Sequence, residues 1–107
     1  MHSLEATFEA LSDSTRRSMV ERLRRGPACV SDLASPYPVS LNAISKHIKV
    51  LERAGLVRRT REGRRHQLKL DAAPLRAIAR WALSYEQFWN QHLDQLEDVL
   101  AKRRQRT

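Results

Sequence analysis

Residues 40–57 read SLNAISKHIKVLERAGLV. Leu41, Ile44, Ile48 and Leu51 step by three, four and three, which is one buried stripe of an α-helix. Ser40 supplies a hydroxyl for its N-terminus, and Gly55 ends it. Asn42, Ala43, Ser45, Lys46 and Lys49 lie away from the stripe. Small, polar and cationic side chains on an exposed helical face are what a DNA major groove accepts.

Upstream, Ser3 is placed to cap a first helix carrying Leu4, Phe8 and Leu11, and Asp13 a second that buries Met19, Val20 and Leu23. Arg24 and Arg25 suit the dipole at the second helix's end, and Gly26-Pro27 stops it. A short third helix starts at Ser31, and Pro36 and Pro38 make the link to residue 40 extended. Downstream, LVRRTREGRRHQLKL predicts two antiparallel strands, about 56–61 and 64–70, with arginines crowding a Glu62-Gly63 turn. Asp71 then caps one helix of about 30 residues, with Pro74 in its first turn. Its stripe is Leu75, Ile78, Ala82, Tyr85, Trp89, His92, Leu96 and Val99, and Trp81, Phe88, Leu93 and Leu100 form a second apolar strip. So small a domain cannot cover that much apolar surface, and the simplest cover is a second copy. The tail KRRQRT is expected to fray.

Composition narrows the function class. The chain has 107 residues, 41% apolar and 30% charged, which fits one globular domain spanning 1–107. No apolar run is long enough to cross a bilayer, and MHSLEATFEA lacks the basic start and apolar stretch expected of a signal peptide. One cysteine permits no internal disulfide, so the cytoplasm is the expected location. The net charge is +8. Residues 40–70 hold nine Lys and Arg against two Glu, nearly the whole excess. A localised basic block points to a polyanion, nucleic acid first. No nucleophile–base pair, Gly-rich phosphate loop or paired carboxylates suggest an enzyme.

The order of elements is helix, helix, short helix, capped helix, two-stranded ribbon, long helix: a mainly α (α+β) winged helix-turn-helix, with five helices and a two-stranded wing. The helix-turn-helix spans about 31–54, the wing about 56–70, and the dimerisation helices about 3–11 and 73–102. ALSDSTRRSMVERLRRGPACVSDLA, VSLNAISKHIKVLERAGLVRR and REGRRHQLKL together resemble the arsenic-repressor (ArsR/SmtB) family of bacterial winged-helix regulators, over about residues 5–100.

The resemblance implies a dimeric transcription factor, usually a repressor, on an inverted-repeat operator in double-stranded DNA. It assigns base contacts to Ser40, Asn42, Ala43, Ser45 and Lys46, phosphate or groove edges to His47 and Lys49, and the wing to Arg61, Arg64 and Arg65. The first and last helices would build a homodimer through Leu4, Phe8, Trp81, Tyr85, Phe88, Trp89, His92, Leu93, Leu96 and Leu100. Metal-sensing members carry Cys-x-Cys at the third helix, where this chain has Cys29-Val30-Ser31. Others bind zinc through Asp-x-His and His-x-x-Glu, where this chain has Asn90 and Gln95 around His92. No metal or cofactor is therefore expected; Ser31 reads as a helix cap, Cys29 as a partly buried packing residue, and His66 as decoration of the wing. A small-molecule or protein inducer stays open. The other reading is a winged-helix module that binds RNA or docks a protein.

Overall fold

Side-chain caps open three of the helices in the computed structural model, which describes residues 3–105. Ser3 Oγ accepts from Ala6 N at 3.0 Å and opens α1 (Leu4–Leu11). Asp13 Oδ2 accepts from Arg16 N at 3.0 Å and opens α2 (Ser14–Leu23). Ser40 Oγ accepts from Ala43 N at 3.1 Å and opens α4 (Leu41–Arg53). Each satisfies an N–H that the helix leaves unpaired. Helix α4 ends in a Schellman motif: Leu56 N donates to Leu51 O and Gly55 N to Glu52 O, with Gly55 at φ +76°. Leu51 and Leu56 are both fully buried, the apolar contact that accompanies this cap.

Between these lie β1 (Ala28–Cys29) and α3 (Val30–Ala34). Ser31 is not the cap: Cys29 holds the N-cap position without accepting a backbone N–H at its side chain, and its Sγ is hydrogen-bonded to Ser31 Oγ at 3.3 Å. After α4 come β2 (Val57–Glu62) and β3 (Arg65–Leu70), paired from Val57↔Leu70 to Glu62↔Arg65. The turn is thus Gly63-Arg64, one residue later than expected. Gly63 has φ +62° and Arg64 a negative φ, which excludes a type I′ turn and fits II′. The wing also has a third strand: Ala28 pairs Leu68 and Cys29 pairs Gln67, giving the order β1-β3-β2.

The core is drawn from residues 10–68, with Met19, Leu33, Ile44, Ile48, Leu51, Leu56 and Leu68 at its centre. On α1 the covered positions are Thr7 and Ala10, not Leu4 and Phe8. The expected last helix is two: α5 (Ala73–Leu83) and α6 (Glu86–Gln105). Ser84 Oγ donates to Trp81 O, and Tyr85 N turns to Ala82 O rather than to the carbonyl four residues back. The hydroxyl and these tightened bonds close α5 before Trp89 N, bonded to Tyr85 O at 2.9 Å, starts the next run. Ala72 holds the N-cap of α5, while Asp71 Oδ1 accepts from Ala73 N at 3.0 Å. Helix α6 extends the molecule to 66 × 33 × 21 Å. It reaches Gln105; the end of the tail, Arg106 and Thr107, lies outside the described residues.

Candidate nucleic-acid interface

The helix-turn-helix, α3 to α4, is fastened to α2 from one side. The Arg22 guanidinium donates to Leu33 O and to Asp32 O (2.9 Å), meeting carbonyls that so short a helix leaves open. The same group lies 6.0 Å from the Tyr37 ring centroid, and Tyr37 Oη donates to Ser18 Oγ at 2.9 Å. Arg16 is a second fastening: it donates to Glu9 O (3.0 Å) and Ala10 O (2.7 Å) at the end of α1 and reaches His47 Nδ1 at 3.3 Å. Neither arginine role was legible beforehand, because the acceptors are backbone carbonyls that no side-chain pattern marks.

On α4, Ser40, Asn42, Lys46 and Lys49 are exposed, and Ala43 and Ser45 are half-buried. His47 is also half-buried, with Nδ1 turned inward to Arg16 and 3.9 Å from Asp13 Oδ2. With Nδ1 accepting from Arg16, a neutral ring carries its proton on Nε2, the one donor left for a phosphate. The Asp13 carboxyl is held below its ordinary 3.8, first by the hydrogen bond from Arg16 N–H, against the opposing effect of burial, with further lowering from His47 in its protonated form and from the Arg16 charge.

Not all of the basic block is available to a polyanion. Arg58 Nε pairs with Asp71 Oδ2 at 2.8 Å, and Arg59 with Glu52 Oε1 at 3.0 Å, tying the wing to its neighbours. Lys46, Lys49, Arg61, Arg64 and Arg65 are exposed and make no ion pair among the described residues. Arg64 and Arg65 line an open groove of about 600 Å³ together with Leu41, Cys29, Arg59 and His66, so the start of α4 and the wing tip flank one depression. Two members of that wall differ from expectation. Leu41 is 65% exposed rather than part of the buried stripe. His66 is half-buried, and its Nδ1 is buried without a hydrogen-bond partner among the described residues.

The second surface is apolar. Phe8, Trp81, Tyr85, Phe88, Trp89, Leu93, Leu96 and Leu100 are all between 41 and 55% exposed. Phe8 of α1 meets Trp81 of α5 edge-on at 5.5 Å, and Trp81 meets Tyr85 likewise at 5.6 Å, so the aromatic rings continue from one helix to the next. Leu4 is half-buried. His92 is exposed, its Nδ1 on Phe88 O at 2.9 Å and its ring 4.0 Å from Phe88.

Residues 11–60 match the family model of a helix-turn-helix domain. Over 91 residues the chain is 41% identical to the HTH-type transcriptional regulator Rv2034 of Mycobacterium tuberculosis, covering 85% of this chain and 82% of that protein. It is 30% identical to the transcriptional repressor SdpR of Bacillus subtilis, covering 73% and 87%. The solved structure of an ArsR family transcriptional regulator matches with a TM-score of 0.76 at 38% identity, over 81% of this chain and 96% of that one. The chain belongs to the ArsR/SmtB family. As a member it is a DNA-binding transcriptional regulator and not an enzyme.

The family's metal chemistry does not fit the donors present. Cys29 faces a serine hydroxyl where a second thiolate would be needed, a poor ligand for a soft ion. On α6, Asn90 and Gln95 stand in place of carboxylates beside His92. Among the described residues no three His, Cys, Asp or Glu side chains converge to hold a metal ion. Cys29 is half-buried at the junction of β1 and α3. No described helix is long and apolar enough to cross a membrane.

Proposed function

We propose that this regulator is a cytoplasmic homodimeric repressor, one domain per chain, that occludes a promoter by binding an inverted-repeat operator. Two α4 helices enter successive major grooves, about one turn of DNA apart or a multiple of it. Asn42 and Lys46 bond base edges, Ser40, Ala43 and Ser45 line the approach, and His47 Nε2 and Lys49 meet phosphates or groove edges. Arg61, Arg64 and Arg65 hold the flanking backbone, adding affinity and salt dependence more than sequence preference. The aromatic and leucine surface of α1, α5 and α6 joins the two copies. One observation carries this: Asn42, Lys46 and Lys49 are exposed along α4, and the start of that helix at Leu41 shares a groove with Arg64 and Arg65, which form no ion pair among the described residues.

Gel shifts on the upstream promoter, with random duplex and structured RNA as competitors, test it. Wild type prefers the promoter duplex, and RNA competing equally would favour the RNA-binding alternative. Lys46→Ala erases the preference, at about 1–3 kcal/mol of discrimination for a good base contact. Arg64→Ala and Arg65→Ala weaken operator and random duplex alike, each lowering the slope of log K against log salt by about 0.9. Equal loss on both duplexes from all three would refute the groove assignment.

A further inference from the structure

We propose that Leu41, with Val39 beside it, selects thymine through its 5-methyl group. The inference rests on α4 entering the major groove, as proposed above, and adds a residue which that assignment lacks. Helical periodicity places Leu41 on the stripe of Ile44, Ile48 and Leu51, each buried to 1% or less. Leu41 instead is 65% exposed and Val39 50% exposed, on either side of the capping Ser40. The cause is position: Leu41 is the first residue of α4, beyond the edge of the core, and it opens onto the groove walled by Arg64 and Arg65. Two aliphatic side chains are thereby uncovered at the start of α4, and Leu41 shares its groove with the cationic Arg64 and Arg65 and one carboxylate, Asp32.

The N-terminal residues of a recognition helix are the ones that reach base edges. In the major groove the one apolar group is the thymine methyl. Asn42, the next residue, has the amide geometry that bonds adenine N6 and N7. An aliphatic side chain followed by an amide therefore suits an A·T pair or an A·T step: the amide takes the adenine edge, and Leu41 covers the methyl. A G·C pair offers neither group. Continuity with the wing cations Arg64 and Arg65 is what makes DNA the occupant of this patch in place of a protein.

Deoxyuridine differs from thymidine by that methyl alone, so it isolates the contact. With the operator in hand from footprinting, each thymine is replaced singly by deoxyuridine, and binding of the full chain is measured for wild type, Leu41→Ala and Leu41→Gln. Wild type weakens about fourfold at one or two thymines per half-site, the effect of one methyl returned to water. Both variants keep the wild-type melting temperature and bind the methyl-free and normal operators equally. Wild-type affinity indifferent to every replacement, or variants that keep the same sensitive thymines, would overturn the proposal. So would variants that bind the operator normally and lose self-association, which would give the patch to a second copy. Lys46→Ala in the same series separates the two levels. If it erases operator preference while deoxyuridine has no effect, α4 stays in the groove and this contact alone fails. If it leaves preference intact, the groove assignment fails and takes this contact with it.

Discussion

Helices α4 and α6 both carry apolar side chains at helical spacing, yet they leave them in opposite states. On α4, Ile44, Ile48 and Leu51 disappear beneath α2 and the sheet. On α6, every described side chain from Glu86 to Arg104 is exposed, including Phe88, Trp89, Leu93 and Leu96. The first helix therefore derives its stability inside one chain. The second exposes more apolar surface than a lone polypeptide keeps uncovered. Damage to α4's stripe is a folding defect; in the proposed homodimer, damage to α6 is an assembly defect.

The largest effect should come from the exposed side of that contrast. Leu93→Asp combined with Leu96→Asp places carboxylates where two copies would bury them. The variant should sediment as a monomer at low micromolar concentration, and operator affinity should fall by about a hundredfold, or ~3 kcal/mol. Its melting temperature should cease to depend on concentration, while the circular dichroism of the winged helix persists. A dimer that survives both aspartates would remove α6 from the interface. Comparable in size is Ile48→Ala, which empties a fully buried position. Urea unfolding should show a loss of about 2–5 kcal/mol. A loss under about 1 kcal/mol would mean that α4 is held less by its stripe than by its contacts at either end.

The smallest effect tests the link from α2 to α4. Asp13→Asn keeps a capping side chain but removes the charge beside His47 and Arg16. The folded carboxyl titrates below its ordinary 3.8, so the stabilisation from its charge is complete above that value. It fades as pH falls through the lower folded value. The urea midpoint of Asp13→Asn should lie below wild type near neutral pH and converge with it in strong acid. An identical gap at both pH values would assign the effect to the cap alone.

The parts legible in the sequence are those with a local cause. The hydroxyls and carboxylate at Ser3, Ser40 and Asp13, the glycine after α4 and the spacing of Ile44, Ile48 and Leu51 each act within one or two turns. The rest depends on what the fold brings near. Strand β1 is two residues long, too short to show alternation, and becomes a strand only by meeting β3. The apolar period runs unbroken through Ser84, so pattern alone predicts one helix; the hydroxyl bond to Trp81 O that ends it is local but carries no periodic signal. Leu41 has the right phase for burial and the wrong axial position. His47 lies beside Lys46 in the chain but half beneath α2 in space. At the candidate interface, net charge located the block, whereas the pairing of Arg58 with Asp71 and of Arg59 with Glu52 had to be seen.

Strand β1 has a consequence beyond topology. A two-stranded hairpin is marginal in water and sweeps through many orientations. Here β3 is hydrogen-bonded on both edges, to β2 and to the two residues that lead directly into α3. The base of the wing, at Gln67 and Leu68, is thus joined to the helix-turn-helix before any partner arrives. In the proposed complex, angular freedom that a loose ribbon would surrender on meeting a duplex has in part been given up during folding, so less of the wing arginines' attraction is consumed by ordering the arm that bears them.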